Sequence, residues 1–309
     1  MKKIFVFILM FVFVFSISLF AADLDTAEKL SYYGEYTKSN QMLQIILEED
    51  PSHVKANILY GRNLIKQYRY QEAIEQLKEA IKYASDAHDT TNLSWAYNNL
   101  GVVYKNLEKY EEALKYYQKA LITDETFNNQ KGMAREYNNM GNIYHNMGEY
   151  GNAKLFYRKA LWINQELNDK EGIAIAYNNL ASFHYYEDNY KKAIEYLNHA
   201  ARYDAQLPFK ANLATDYRNL GIIYESMGND QKAKEYYDKS LEINKKIGIQ
   251  KRLLEDYRSL SLFYESKGNY NKAIEYIKKV IEIDRNMNLD RLLQDQARLK
   301  RLKEEMGKK

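Results

Sequence analysis

Tyr97, Tyr137, Tyr177, Tyr217 and Tyr257 stand forty residues apart. So do Ala73, Ala113, Ala153, Ala193, Ala233 and Ala273. Gly61, Gly101, Gly141 and Gly221 share a third phase, with Ala181 and Ser261 filling its gaps. Such self-similarity restricts the chain to a stacked array, because each unit leaves an apolar face that only its neighbour can cover. The blocks are 54–93, 94–133, 134–173, 174–213, 214–253 and 254–293. A shorter unit precedes them and ends at Pro51.

Each block reads as two helices. Tyr97, Leu100, Gly101 and Tyr104 recur at i, i+3, i+4 and i+7, one face of a helix. Ala113, Tyr117 and Ala120 repeat that spacing on a second one. Between them lie Gly148-Glu149, Asp188-Asn189, Gly228-Asn229 and Gly268-Asn269, read as helix stops because Gly and Asn tolerate positive φ. Small residues recur where helices must approach closely, since anything larger would strain the contact. The repeat also accounts for the thirty tyrosines: most fall at the places of Tyr97, Tyr104, Tyr110 and Tyr116-Tyr117. They are expected to pack, with His184 filling a tyrosine place as a packed ring.

These residues resemble the tetratricopeptide repeat family. Its unit carries an aromatic, Leu-Gly, Tyr, Ala, an aromatic or aliphatic, and Ala, here Tyr97, Leu100-Gly101, Tyr104, Ala113, Tyr117 and Ala120. The next block supplies Tyr137, Met140-Gly141, Tyr144, Ala153, Tyr157 and Ala160. The resemblance implies an all-α, right-handed superhelical solenoid. Residues 23–53 form a degenerate first repeat, with Ala27 in the glycine place and Ser39 in the first alanine place. Residues 54–293 hold six forty-residue repeats. The usual closing proline is absent from these, and the longer unit is similar to repeats of kinesin light chain, Pins-type scaffolds and Rap-type peptide receptors. Residues 289–309 read as a capping helix: Leu289, Leu292, Leu293, Leu299, Leu302 and Met306 form its apolar side, and Arg291, Arg298, Lys300, Arg301 and Lys303 the other.

Lys2-Lys3, the uncharged run 4–20 and Ala21-Ala22 make residues 1–22 a secretory signal peptide. The run spans roughly 26 Å as a helix, just short of a ~30 Å hydrocarbon core, so an uncleaved anchor is the open alternative. Either way the expectation is an exported, periplasmic or envelope-associated chain, touching membrane only if that segment is retained.

Composition excludes several functions. A net charge of +3 is too balanced for a dedicated nucleic-acid binder. With no cysteine there is no disulfide, thiolate metal site or cysteine nucleophile. There is no GxGxxG, no phosphate-cradling loop and no HExxH, and no two of the five histidines share the i, i+4 spacing that pairs metal ligands. The expectation is a non-enzymatic chain with no cofactor.

What remains is a surface. At 100° per residue from Tyr97, Leu100, Gly101 and Tyr104 face the partner helix, and Trp95, Asn99 and Val102 fall opposite. Asn99, Asn139, Asn179 and Asn219 repeat at that place, and Asn98, Asn138 and Asn178 lie beside them, followed by Arg218 and Arg258. Asn142 holds the Val102 place. Asparagine is a poor helix former, but an amide offers donors and acceptors to an extended peptide backbone. In tetratricopeptide arrays this side lines the concave wall, and in the related kinesin light chain and Rap-type repeats such asparagines contact peptide, so the resemblance implies a protein or peptide ligand. The open alternative is that the amides bond to one another between repeats. Arg62, Arg135, Arg218 and Arg258 suggest a ligand bearing carboxylates. A second reading is a scaffold that joins envelope proteins through its convex face and ends.

Overall fold

The computed structural model describes residues 23–287 and 291–307. The leader expected at 1–22, and Leu289, lie outside the described residues. Among those described there are 15 helices and no strand. A short pair, α1 (Leu24–Tyr32) and α2 (Tyr36–Glu49), comes first. The pairs α3 (Val54–Lys66) and α4 (Tyr70–Asp86), then α5 (Thr90–Asn106) and α6 (Tyr110–Thr126), follow. Next are α7 (Gln130–Asn146), α8 (Tyr150–Glu166), α9 (Lys170–Tyr186), α10 (Tyr190–Asp204), α11 (Ala211–Ser226) and α12 (Asp230–Ile247). The last are α13 (Gln250–Ser266), α14 (Tyr270–Met287) and α15 (Leu292–Gly307). The chain forms two compact units, one ending at Met147 and the other beginning at Gly148.

In the first unit each helix packs on the next, and first helices also touch one another, α3 with α5 and α5 with α7. Leu64, Leu77, Leu100 and Val103 build one core layer. The glycine phase has a direct cause: a Cβ on Gly101 would stand 2.5 Å from the Tyr117 ring, which is fully buried. At the degenerate first pair, where Ser39 replaces alanine, its Oγ donates to the Ala27 carbonyl at 2.8 Å.

In the second unit α9 packs on α10, α11 on α12 and α13 on α14, and α11 touches α13. A Cβ on Gly221 would meet the Tyr237 ring at 2.7 Å. Where Ser261 replaces the glycine, its Oγ donates to the Ala273 carbonyl at 2.9 Å. Leu302 of α15 is buried among Leu260, Ile277 and Val280, with Leu292 and Leu299 against the same cluster. Leu293, placed by sequence on the apolar side, is 76% exposed. The inward position is instead held by the carboxylate of Asp295. Of the bases on the outer side, Arg298 and Arg301 both reach Glu265, at 2.6 and 2.5 Å.

The turns refine the sequence reading. Tyr68, Glu108, Gly148, Asp188, Gly228 and Gly268 all have positive φ, between 55° and 77°, and they are forty residues apart. The asparagine that follows is not part of the stop. Asn189, Asn229 and Asn269 cap the next helix, accepting from the N–H of Lys192, Lys232 and Lys272. First helices begin about four residues ahead of the block edges, because Asp89, Asn129 and Asp169 cap them there. The tyrosines pack as expected. Tyr104 stacks on Tyr116 at 5.2 Å, Tyr224 on Tyr236 at 5.4 Å and Tyr264 on Tyr276 at 5.8 Å. His184 replaces one member, stacking on Tyr196 at 5.4 Å. Burial and the nearby Lys154 hold its pKa below the ordinary histidine value.

Candidate peptide-binding wall

In the first unit the wall is knitted by buried polar groups. Asn98 Nδ2 donates to both Glu136 carboxylate oxygens, at 3.0 and 2.7 Å. Asn99 Nδ2 donates to the Trp95 carbonyl one turn back at 2.8 Å. Asn138 is buried, and Asn139 and Asn142 are half-buried. Arg135 lies flat on Trp95, 3.8 Å from the ring centre. Its Nε donates to Glu136 at 2.7 Å, and its Nη2 reaches Ser94 at 3.0 Å and Asp124 at 3.3 Å. Glu136 is fully buried, and burial pushes its pKa up to about 7 against the pull of Arg135 and Asn98.

In the second unit, a cavity of about 330 Å³ is lined by residues of α9, α10 and α11. Ala181, Leu197 and Ile223 are its buried apolar lining, and Ser182 and Tyr186 are exposed at its mouth. Asn178, Asn179 and Asn219 also line it. Asn219 Nδ2 donates to Asn178 Oδ1 at 3.2 Å. Asn178 Nδ2 donates onward to Asp216 Oδ1. Tyr185, also in the lining, has its Oη 3.1 Å from Ser226 Oγ.

Three of the four arginines expected to meet ligand carboxylates are already matched inside the chain. Arg135 is on Asp124 and Glu136, Arg218 is 2.6 Å from Glu255, and Arg258 bridges Asp284 and Asp295 at 2.8 and 2.6 Å. Arg62 is exposed. Each of the three therefore already has an acid partner inside the chain: the buried Asp124 and Glu136 for Arg135, the half-exposed Glu255 for Arg218, and the buried Asp284 and Asp295 for Arg258.

Sequence reasoning missed those acids. Asp124, Asn164, Asp204, Asn244 and Asp284 occupy one phase, and all are nearly inaccessible. Gly132 and Gly172 make room for the first two: a Cβ there would lie within 2.3 Å of the Asp124 carboxyl and 2.4 Å of the Asn164 amide. About twelve residues on, from the next first helix or α15, come Glu136, Asp216, Asp256 and Asp295. Where both are acids an arginine joins them at Asp124/Glu136 and at Asp284/Asp295. At Asp256 the acid accepts from Asn244 and Ser240, at 2.6 and 2.7 Å. Asp204 and Asp216 are 2% and 1% exposed and have no arginine; each keeps one carboxylate oxygen without a hydrogen-bond partner, and one proton held between the two carboxyls would relieve their mutual charge. Burial, then the neighbouring Asp204 charge, pushes Asp216 up to about 9. The forty-residue recurrence of Asp or Asn from position 124 was the signal that could have found this ladder.

Among the described residues no group of His, Cys, Asp or Glu could hold a metal ion. No described helix is long and apolar enough to cross a membrane. Consecutive helix pairs with interlocked glycine and tyrosine define an all-α repeat solenoid. The tetratricopeptide repeat family model matches residues 54–126, 96–166, 132–206, 172–246 and 213–286, so the chain belongs to that family. No curated protein sequence matches it. Among solved structures it is similar to a Rap protein complexed with Competence and Sporulation Factor (18% identity, 87% of this chain and 78% of that one, TM-score 0.62). It is also similar to BtubC from P. vanneervenii (21% identity, 72% and 92%, TM-score 0.55). A third is the STAND protein with a tetratricopeptide repeat sensor from Pyrococcus horikoshii (17% identity, TM-score 0.60), where 84% of this chain spans 42% of that one. At these identities the likeness is one of fold.

Proposed function

We propose that this chain is a non-enzymatic interaction module that holds an extended peptide segment on the inner wall of its second unit. The observation that carries this is the amide edge of the cavity between α9 and α11. Asn219 spends one N–H on Asn178. Its other N–H and its Oδ1 have no partner among the described residues, which leaves one donor and one acceptor side by side for a peptide group. The Rap protein similar to this chain was solved with Competence and Sporulation Factor bound, and a bound factor on this fold supports the reading. We also propose that the chain acts outside the cytoplasm, on the strength of Lys2-Lys3, the apolar run 4–20 and Ala21-Ala22.

The test is calorimetric titration with peptides recovered by display selection against the whole chain. Asn219→Ala removes one or two hydrogen bonds of about 0.5–1.5 kcal/mol each, an expected loss of about two- to ten-fold in affinity or more. Its melting curve should hardly move, because alanine is the better helix former. Equal affinity of parent and variant for every recovered peptide would overturn the proposal.

A further inference from the structure

The lining of this cavity says more than that a peptide binds. Its volume, about 330 Å³, lies at the small end of the roughly 300–1,000 Å³ typical of ligand pockets. That is room for one bulky side chain rather than a whole ligand. Leu197 and Ile223 are buried at 1% and 3%, and Ile222 lies beside them in the lining. A charged group placed against them would lose its water, and the lining offers it no opposite charge, only neutral amides and hydroxyls. No cation is in the lining; of the arginines on α11 and α13, Arg218 is tied to Glu255 at 2.6 Å, and Arg252 is tied to the Ala211 carbonyl and Thr215 at 2.9 and 3.2 Å. The polar part of the lining is made of neutral amides and hydroxyls, Asn178, Asn179, Ser182 and Asn219 among them, and the Asn219 amide, with a donor and an acceptor side by side, matches a backbone peptide group better than a carboxylate.

Resting on the peptide reading above, we infer that the cavity between α9 and α11 selects one large apolar side chain from an uncharged stretch of peptide, with Asn219 holding the adjoining backbone. The ligand class is thus a neutral, aliphatic or aromatic-bearing segment, in contrast to the carboxylate-bearing one that the arginines suggested. Ser182 is the position that tests it, because it is exposed at the cavity mouth on a helix surface. A bulky residue there closes the opening without disturbing a packed contact.

The experiment is selection of a random heptapeptide display library against the full chain, followed by titration of the recovered peptides against the parent, Asn219→Ala, Ser182→Trp and Ile222→Asp. Circular dichroism checks the fold of each, and Ile222→Asp stands in if Ser182→Trp does not fold. The expected result is a shared Leu, Ile, Met, Phe or Trp at one fixed position, net charge near zero, and at least about ten-fold weaker binding to the blocked or charged cavity. Peptides that depend on Asn219 but are acid-rich, lack a fixed apolar position, or ignore both cavity variants would overturn this inference and leave the peptide wall standing. Recovery of no peptide, or binding untouched by all three variants, would overturn both.

Discussion

The Asp204–Asp216 pair makes a quantitative claim on stability. In the unfolded chain both groups titrate as ordinary aspartates near pH 4. In the folded chain Asp204 is shifted upward and Asp216 is pushed up to about 9, so one proton stays bound across that whole interval. The sign follows. A raised folded pKa leaves stability intact below the unfolded value and lost as pH rises toward the folded one, at about 1.4 kcal/mol per pH unit for one proton. From pH 5 to pH 8 the loss is roughly 4 kcal/mol. Asp216→Asn replaces the shared proton with an amide N–H that donates to Asp204, while its Oδ1 still accepts from Asn178. The variant should match the parent near pH 4 and be more stable by several kcal/mol at pH 8. Glu136 and Asp284 titrate in both proteins, so the difference isolates the pair. Urea unfolding at pH 5, 6.5 and 8, with hydrogen exchange read in α10 and α11, measures it. Parallel pH profiles for the two proteins, or a variant weaker at every pH, would refute the shared proton.

Gly221→Ala should cost about 1–3 kcal/mol, because the added Cβ meets a Tyr237 ring that Glu225 tethers through a 2.7 Å hydrogen bond; thermal melts of the variant check it. Glu108 sits at φ 58°, so Glu108→Gly should stabilise the first unit by about 0.5–1 kcal/mol, seen as slower exchange in α5 and α6. Arg258→Met leaves Asp284 and Asp295 buried without their cation, an expected loss of about 3–5 kcal/mol at neutral pH. Burial and its bond to Asp295 push Asp284 up to about 6, so acidification below that value should restore much of the loss and re-protect α15.

The fold was legible because its packing rule is periodic. Gly101 and Tyr117 are one contact repeated, and a forty-residue phase exposes such a contact without any structure. Ser39 and Ser261 looked like departures, yet each adds a hydrogen bond that a glycine or alanine lacks. The site was less legible. Helical-wheel reasoning put Asn98, Asn178 and Asn219 on one face of their helices but could not see what stood behind that wall. Asp216 and Glu136 face that wall from the next repeat and claim two of those amides. The arginines were read without their internal partners for the same reason: sequence gives the direction of a side chain along its own helix, while most of those partners come from another. Leu293 shows the converse, since an apolar residue at helical spacing turned out to face solvent while Asp295 faced in.

The guanidinium of Arg135 lying on Trp95 has an optical consequence. The chain has two tryptophans. Trp95 lies in the first unit under a cation 3.8 Å from its ring centre, and Trp162 lies in the second, 63% exposed. Opening the first unit strips the cation from its indole and changes the emission. Opening the second uncovers only the lesser part of an indole that is already mostly in water. Indole fluorescence of the intact chain therefore reads one half of the molecule and is nearly blind to the other. The ring pairs Tyr224–Tyr236 and Tyr264–Tyr276 in the second unit add to a near-ultraviolet dichroism that Tyr104–Tyr116 of the first unit also feeds, so that signal reports both halves. Recorded on one unlabelled sample, a dichroism melt that departs from the fluorescence melt is then the mark of the second half opening apart from the first.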